Sequence, residues 1–401
     1  MQRALALLAM LATGAILIAC GSGGNPSGTP TAEPTPEARD AVIQPGQPIT
    51  IGVSVALSGD QINLGTDIAD AAELALMDAG ASVRGFPVVI ARQDDGCTDA
   101  EKASNVARSL VENATLAGVI GPMCTTGAQA ASSIYERAQI VHISPSATRI
   151  ELSQQGEVFF FRTAWRDDVQ ALEQADYARD AMNARTVVLI DDGDPYGTGL
   201  ANAFETEFEE DGGEIVSRQR IERGTVEFTS LAMGVKNQNP DLVVFEGLNP
   251  EGALIVKKLR DEQYGGGFMG PDGLFSVRDY LIPSGAATEG SIISGGPTPD
   301  EAFNLRFQAQ FQRLPSTPFV LQAYDAVRVL LLAMEAVATT DEDGALTIDR
   351  TVLAEEMRSR AFLGLTGRIE FDEHGDRLGE TARELGLVLY RVANAQFVPV
   401  E

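Results

Sequence analysis

Hydrophobic positions along the chain fall into two alternating rhythms. Short β-branched runs at 49–55, 87–90, 117–120 and 140–143 are separated by stretches with apolar residues at helical spacing, over 68–77, 100–111 and 127–137. A second series repeats the layout, with strands at 186–190, near 215, at 242–245 and at 268–269, and helices over 200–210 and 253–262. Short apolar runs bounded by turn residues fit strands buried on both faces, as parallel sheets require. The alternation predicts an α/β chain of two doubly wound parallel-sheet lobes. A strand near 291–293, helices over 301–312 and 321–339, and a β-rich end at 367–371 and 386–390 complete the pattern. This order implies three hinge crossings, near Trp165, Ser291 and Leu363. It assigns 49–165 with 292–363 to the first lobe, and 166–291 with 364–401 to the second.

The N-terminus follows another logic. An apolar run over 4–19 begins behind Arg3 and ends in Leu17-Ile18-Ala19-Cys20. A spanning helix needs about 20 apolar residues, so the run suits a signal peptide better. Leu-Ile-Ala-Cys matches the bacterial lipobox, which makes residues 1–19 a lipoprotein signal peptide and Cys20 the lipidation site. Two or more acyl chains, at about 0.8 kcal/mol per buried CH₂, hold a protein stably on a bilayer. Residues 20–48 are rich in Gly, Ser, Thr and Pro and are expected to form a disordered tether behind the lipidated cysteine. The expected location is extracytoplasmic, with a lipid anchor in the bacterial cell membrane. Cys97 and Cys124 then read as a disulfide pair in an oxidising compartment. The formal net charge of −27 argues against nucleic acid or an anionic lipid surface as a partner.

In open parallel sheets, ligands bind beyond the carboxyl ends of the strands. The first series ends there in hydroxyls and backbone amides: Ser58-Gly59, Cys124-Thr125-Thr126 and Ser144-Pro145-Ser146-Ala147-Thr148. Thr125 and Thr126 open a predicted helix, whose N-terminus favours an anion. The second series ends in carboxylates and a tyrosine: Asp191-Asp192-Gly193-Asp194-Pro195-Tyr196, Glu246-Gly247-Leu248-Asn249 and Gly270-Pro271-Asp272-Gly273. Facing rims of this kind suit a zwitterion, with its carboxylate on the first lobe and its ammonium on the second.

Several blocks carry a family resemblance. Gln93-Asp94-Asp95-Gly96-Cys97, Val119 through Thr126, Ile143 through Thr148 and Phe161-Arg162-Thr163 resemble the periplasmic leucine/isoleucine/valine-binding proteins. Tyr196-Gly197-Thr198-Gly199, Asn249-Pro250-Glu251 and Phe268 through Gly273 continue the likeness, which runs from about Ile49 to the C-terminus. The family comprises type I substrate-binding proteins of ABC transporters. The resemblance implies that Thr125 and Thr148 hold a ligand carboxylate, that the Ser146 carbonyl and Asp272 take the ammonium, and that Tyr196 closes over the ligand. Ser58 and Ala147 join the ligand set, and Cys97 and Cys124 match the family's disulfide. Leu64 and the pair Leu248-Asn249 stand where the family often has aromatic residues, at the side-chain end of the pocket.

Catalysis is not expected. The chain has two histidines, His142 inside a strand and His374 in an exposed turn. It lacks a Gly-x-Ser-x-Gly elbow, a metal-spaced His/Cys cluster, a full calcium loop and a phosphate loop. No cofactor and no metal are expected. The expected partners are an amino acid or similar small zwitterion, with ABC permease and ATPase subunits. A sensory lipoprotein of the same fold, or a binder of urea or short amides, are the alternatives.

Overall fold

The structure is a computed structural model that describes residues 40–400. The signal peptide, Cys20 and residues 21–39 of the expected tether lie outside the described residues.

The first sheet has six strands, in the order Ser82–Val83, Phe86–Asp94, Ile49–Val55, Leu116–Ile120, His142–Ser144 and Phe160–Arg162. All neighbours are parallel except the short Ser82–Val83 hairpin. Ile49–Val55 lies inside this order and is buried along its whole length, which is why it reads as a continuous apolar run. Helices Ile62–Asp78 and Val320–Val337 pack on one another, as do Ala100–Val111 and Thr125–Arg137. The second sheet has seven strands: Gln396–Pro399, Val388–Ala393, Ile292–Gly295, Gly267–Gly270, Leu242–Glu246, Thr186–Asp191 and Glu214–Arg220. Five of them are parallel, and the two C-terminal strands close the edge as an antiparallel hairpin. In each sheet the chain reverses its winding beside the first strand of the series, where a doubly wound sheet opens a ligand crevice.

Three boundaries differ from the sequence reading. The expected tether runs too far, because Ala41–Ile43 pairs antiparallel with Leu346–Ile348 and buries Ala41 and Ile43 completely. The sequence pattern places 292–295 in the first lobe, yet Ile292–Gly295 lies in the second sheet between Gly267–Gly270 and Val388–Ala393. The second crossing therefore follows Gly295. The third crossing falls after Asp376 rather than near Leu363. Asp325 of the first lobe accepts hydrogen bonds from the Leu365 and Thr366 N–H groups and holds that hairpin in place. Phe371 packs edge-on against Phe161 at 5.1 Å, and Arg162 N–H donates to Gly375 O.

Asp376 ties the crossings together. Its carboxylate accepts from fully buried Arg162 and, at 3.2 Å, from Arg166 in the first crossing. Arg162 also donates to Ser153 Oγ at 2.7 Å and Arg149 O at 2.8 Å, so the buried guanidinium is well satisfied.

The Cys97–Cys124 disulfide is present and joins the loop after Phe86–Asp94 to the start of helix Thr125–Arg137. Gly121, at φ +110°, lets the chain reach that point, since a Cβ there would lie 2.2 Å from Ser54 O. The disulfide closes a loop with a sequence separation of 27 residues. Loop-closure entropy for that size is worth about 3 to 4 kcal/mol. The double variant Cys97→Ser/Cys124→Ser is expected to lose stability of this order in urea unfolding, with circular dichroism unchanged. An unchanged midpoint would remove the disulfide from the stability account.

Candidate ligand cleft

The carboxyl ends of both sheets face one cleft, lined by Leu64, Met123, Thr125, Ser146, Tyr196 and Asp272 among others. Each polar group owes its position to a local device. Thr125 opens helix Thr125–Arg137, and the N-cap residue Cys124 offers no side-chain cap, so the first-turn N–H groups remain available. Ser146 Oγ donates to Met123 O at 2.7 Å, which joins the two first-lobe loops. Tyr196 follows Pro195 in the first turn of helix Pro195–Glu210, where Asp194 caps the Tyr196 N–H at 3.0 Å. Asp272 sits on the short turn after strand Gly267–Gly270 and accepts from Tyr196 Oη at 2.7 Å.

The predicted residues separate on inspection. Leu64, Thr125, Ser146, Tyr196, Leu248 and Asp272 all line the cleft. Thr148 is fully buried, close to the Asp167 carboxyl but without a well-aligned hydrogen bond to it. Asn249 holds the rim: its side chain donates to Gly273 O at 3.2 Å and its carbonyl accepts from Gln61 at 2.8 Å. Ala147 packs with Ala128, Leu152 and Phe160 in an apolar cluster instead of lining the cleft. Ser58 is also not at the cleft. Its exposed side chain donates to Asp94 and accepts from Lys102, because Asp94 needs partners at the end of its strand. Burial raises Asp94, but the bonds from Lys102, Ser58 and the Leu57 N–H outweigh it and hold the carboxyl at about 2.

Two buried acids lie near Asp272 without lining the cleft: Asp167, which the sequence reading does not single out, and Glu246, which it places on the second rim. Asp167, Gln170 and Gln174 share the buried face of helix Asp167–Asp176, and Glu246 ends the apolar strand Leu242–Glu246 with no exposed surface. Both carboxyl oxygens of Asp167 and of Glu246 lack a hydrogen-bond partner. Burial lifts Asp167 to about 7; Thr148 opposes this and Asp272 adds to it. Burial lifts Asp272 to about 6 against the bond from Tyr196. Burial, with Asp272 and Asp167 adding, pushes Glu246 well above the usual carboxylate range. The i, i+3, i+7 spacing of Asp167, Gln170 and Gln174 was a readable signal of a polar buried face. The Thr125 and Thr148 hydroxyls are likewise buried without partners. Thr125 on the first lobe thus faces Asp272 on the second across the cleft, Thr148 and Asp167 lie buried beside each other, and among the described residues no cation pairs with Asp272, Asp167 or Glu246.

Side-chain hydrogen bonds cross between the lobes around this cleft. Thr126 Oγ1 donates to Asp194 at 2.9 Å, Gln61 to Asn249 O at 2.8 Å, Asn63 to Asp279 at 2.8 Å and Arg149 to Pro195 O at 2.7 Å. The lobes are closed, and the room left inside is only about 30 Å³. His142 is buried in its strand, beside Ser132 Oγ at 3.3 Å and Ile140 O at 3.2 Å, and burial lowers it to about 4. It packs in the core and takes no part in the cleft.

Two doubly wound lobes closed over such a cleft define a two-lobed solute-binding protein. The chain belongs to the periplasmic binding protein family, whose model matches residues 48–386. It is 30% identical over 338 residues to the leucine-specific-binding protein of Salmonella typhimurium, covering 82% of this chain and 88% of that one. It is 27% identical to an amino acid binding protein of Pseudomonas aeruginosa, over 82% of this chain and 87% of the relative. Among solved structures, a leucine-binding protein from Thermotoga maritima superposes with a TM-score of 0.78 at 24% identity, covering 88% of this chain and 98% of that one. These relatives are binding proteins, and the chain stands with them rather than with enzymes.

The buried acids set a pH dependence. Asp95, Asp192 and Asp272 are raised to about 6 and Asp167 to about 7, with Glu246 also raised. In each case the folded state keeps its proton to higher pH than the unfolded chain. Between about pH 4 and 7 the folded state binds more protons, so stability falls as pH rises. His142 acts the other way, losing stability as pH falls from its ordinary 6.5 towards about 4, but it is one group against several. The ligand-free protein is expected to melt at progressively lower temperature from about pH 4.5 to 7.5, and Glu246→Gln is expected to shrink that fall. A melting temperature that rises with pH over this window in both proteins would contradict the buried-acid account.

Proposed function

We propose that this protein captures an aliphatic amino acid of the branched-chain type and delivers it to the permease and ATPase subunits of an ABC transporter. The observation that carries this reading is the pairing of orphaned groups across the cleft. The Thr125 hydroxyl, with the helix N-terminus, suits an α-carboxylate, to which Thr148 adds in this reading; Asp272 and Tyr196 suit an α-ammonium, with the Ser146 carbonyl completing its shell. An ammonium has three donors to place and a carboxylate about four acceptor sites, so a zwitterion suits what the closed cleft leaves unpaired. Urea or a simple amide would leave the acids without a cation. Leu64, Met123, Leu248 and Phe319 make the remaining wall apolar, which favours an aliphatic side chain over a charged one. The names of the relatives support the same class.

In this reading the lobes open about the three crossings to admit the ligand, and ligand bridging shifts the population to the closed form. The protein works outside the cytoplasm. The lipobox supports anchoring through Cys20, with residues 21–39 as the tether. A mass-spectrometric adduct of several acyl chains on an N-terminal Cys20 peptide would establish the anchor, and an unmodified Met1 terminus would refute it.

Calorimetric titration of the protein with leucine, isoleucine and valine tests the assignment. Asp272→Ala leaves a buried ammonium without its main counter-charge and is expected to cost about 3 to 5 kcal/mol of binding. Undiminished affinity in that variant would show that the ammonium lies elsewhere.

A further inference from the structure

A second cavity, of about 390 Å³, opens at the hinge and shares only Phe319 with the lining of the ligand cleft. Four segments wall it. Phe275 with Val277, and the turn 395–397, come from the second lobe; 296–299 is the second crossing; 315–320 belongs to the first lobe. Charged residues make up 22% of the chain, yet none lines this chamber. An ion would enter it without a counter-charge, so the chamber suits a neutral occupant.

The walls are built and held. Phe275 stacks on Phe397 at 4.1 Å and packs against Tyr390 at 4.7 Å, while Tyr390 Oη donates to Gly296 O at 2.7 Å. On the first-lobe side, Asp67 of helix Ile62–Asp78 accepts from the Ser316 N–H and from Thr317 Oγ1, each at 2.8 Å. Those polar atoms are thereby satisfied away from the chamber, and the surface left is aromatic and proline-rich, with Thr298 and Gln396 exposed at its mouth. Pockets of roughly 300 to 1,000 Å³ with apolar walls and a few polar groups hold small ligands. A dry cavity of about 150 Å³ takes one benzene, so this chamber has room for one or two rings. The Val277 N–H also donates to Ser316 O at 3.1 Å, from one lobe to the other. The two sides therefore meet in the closed form, and parting the lobes would pull the chamber apart.

We propose that the hinge chamber is a second binding site, for a neutral aromatic molecule of one or two rings, and that its occupant favours the closed form and so tightens amino-acid capture in the cleft. The site stands on its own walls; the coupling rests on the amino-acid reading. A molecule that touches both lobes only when they are closed must bind that form better, and linkage makes the effect reciprocal.

The test is calorimetric titration of indole, and of its charged relative indole-3-carboxylate, into the protein with and without saturating leucine. Indole is expected to bind in both cases, more tightly with leucine present, and the carboxylate about tenfold more weakly or not at all. Val277→Trp places a large ring at the exposed mouth and is expected to abolish indole binding. Phe397→Ala removes one stacked wall, is expected to weaken indole about tenfold, and carries the test if Val277→Trp does not fold. Neither residue lines the cleft, so without indole both variants are expected to keep the wild-type leucine affinity. Saturating indole is expected to tighten leucine about threefold or more in the wild type and to leave it unchanged in Val277→Trp. No binding of indole, binding that leucine competes away, or binding that both variants retain in full would overturn the site. Indole bound in the chamber with leucine affinity unchanged would overturn the coupling. Failure of the wild type to bind leucine would overturn the amino-acid reading instead, and indole titration of the ligand-free protein and its variants would still decide the site.

Discussion

Closing two lobes over a cleft removes polar groups from water, and every such group must then find a partner. In this protein closure leaves the Thr125 and Thr148 hydroxyls without partners, and among the described residues it leaves Asp272, with Asp167 and Glu246 buried near it, without a cation. A buried unpaired polar group costs about 1 to 3 kcal/mol and a charged one more. Without ligand the acids answer this by keeping their protons to higher pH than an exposed carboxyl does. A zwitterion answers it differently, by placing ammonium against carboxyl and carboxylate against hydroxyl. The same desolvation that penalises the empty closed form rewards the filled one. In the proposed function, that difference couples capture to closure.

The rest of the architecture holds those groups where the coupling needs them. Parallel strands deliver loops to one end of each sheet, and the disulfide fixes the start of the helix that presents Thr125. Asp194 contributes twice, capping the turn that carries Tyr196 and accepting from Thr126 across the cleft. At the hinge, Asp376 accepts from Arg162 and Arg166 and so binds a returning segment of chain to the first crossing. The interlobe bonds of Gln61, Asn63 and Arg149 ring the cleft, each a single hydrogen bond of the kind that opens and closes readily.

Much of this was legible in the sequence because burial on both faces leaves a plain mark. The strands Leu116–Ile120, Thr186–Asp191 and Gly267–Gly270 are short and almost wholly buried, and the loops beyond them carry Thr125, Tyr196 and Asp272. What a strand's sequence does not carry is its neighbour. Ile292–Gly295 reads as a strand but not as a member of the second sheet, and Ala41–Ile43 is too short to stand out beside a Pro-rich segment. Asp167 escaped because acids in the first turn of a helix usually face water, and the complete burial of Glu246 left no mark beyond its place at a strand end. Ser58 misled for the opposite reason: it follows a strand as a cleft residue should, yet Asp94 and Lys102 claim it. Phe319 lies in a Pro-Phe step whose left-handed turn no local pattern announces.

Both charged ends of a zwitterion are needed to satisfy the groups that closure buries. The most direct measurement is calorimetric titration of the protein with leucine, with its decarboxylated amine and with its deaminated acid. The account predicts binding of leucine, and loss of at least a hundredfold for each truncated analogue, because each leaves one set of buried groups unpaired. Binding of either analogue within tenfold of leucine would contradict it.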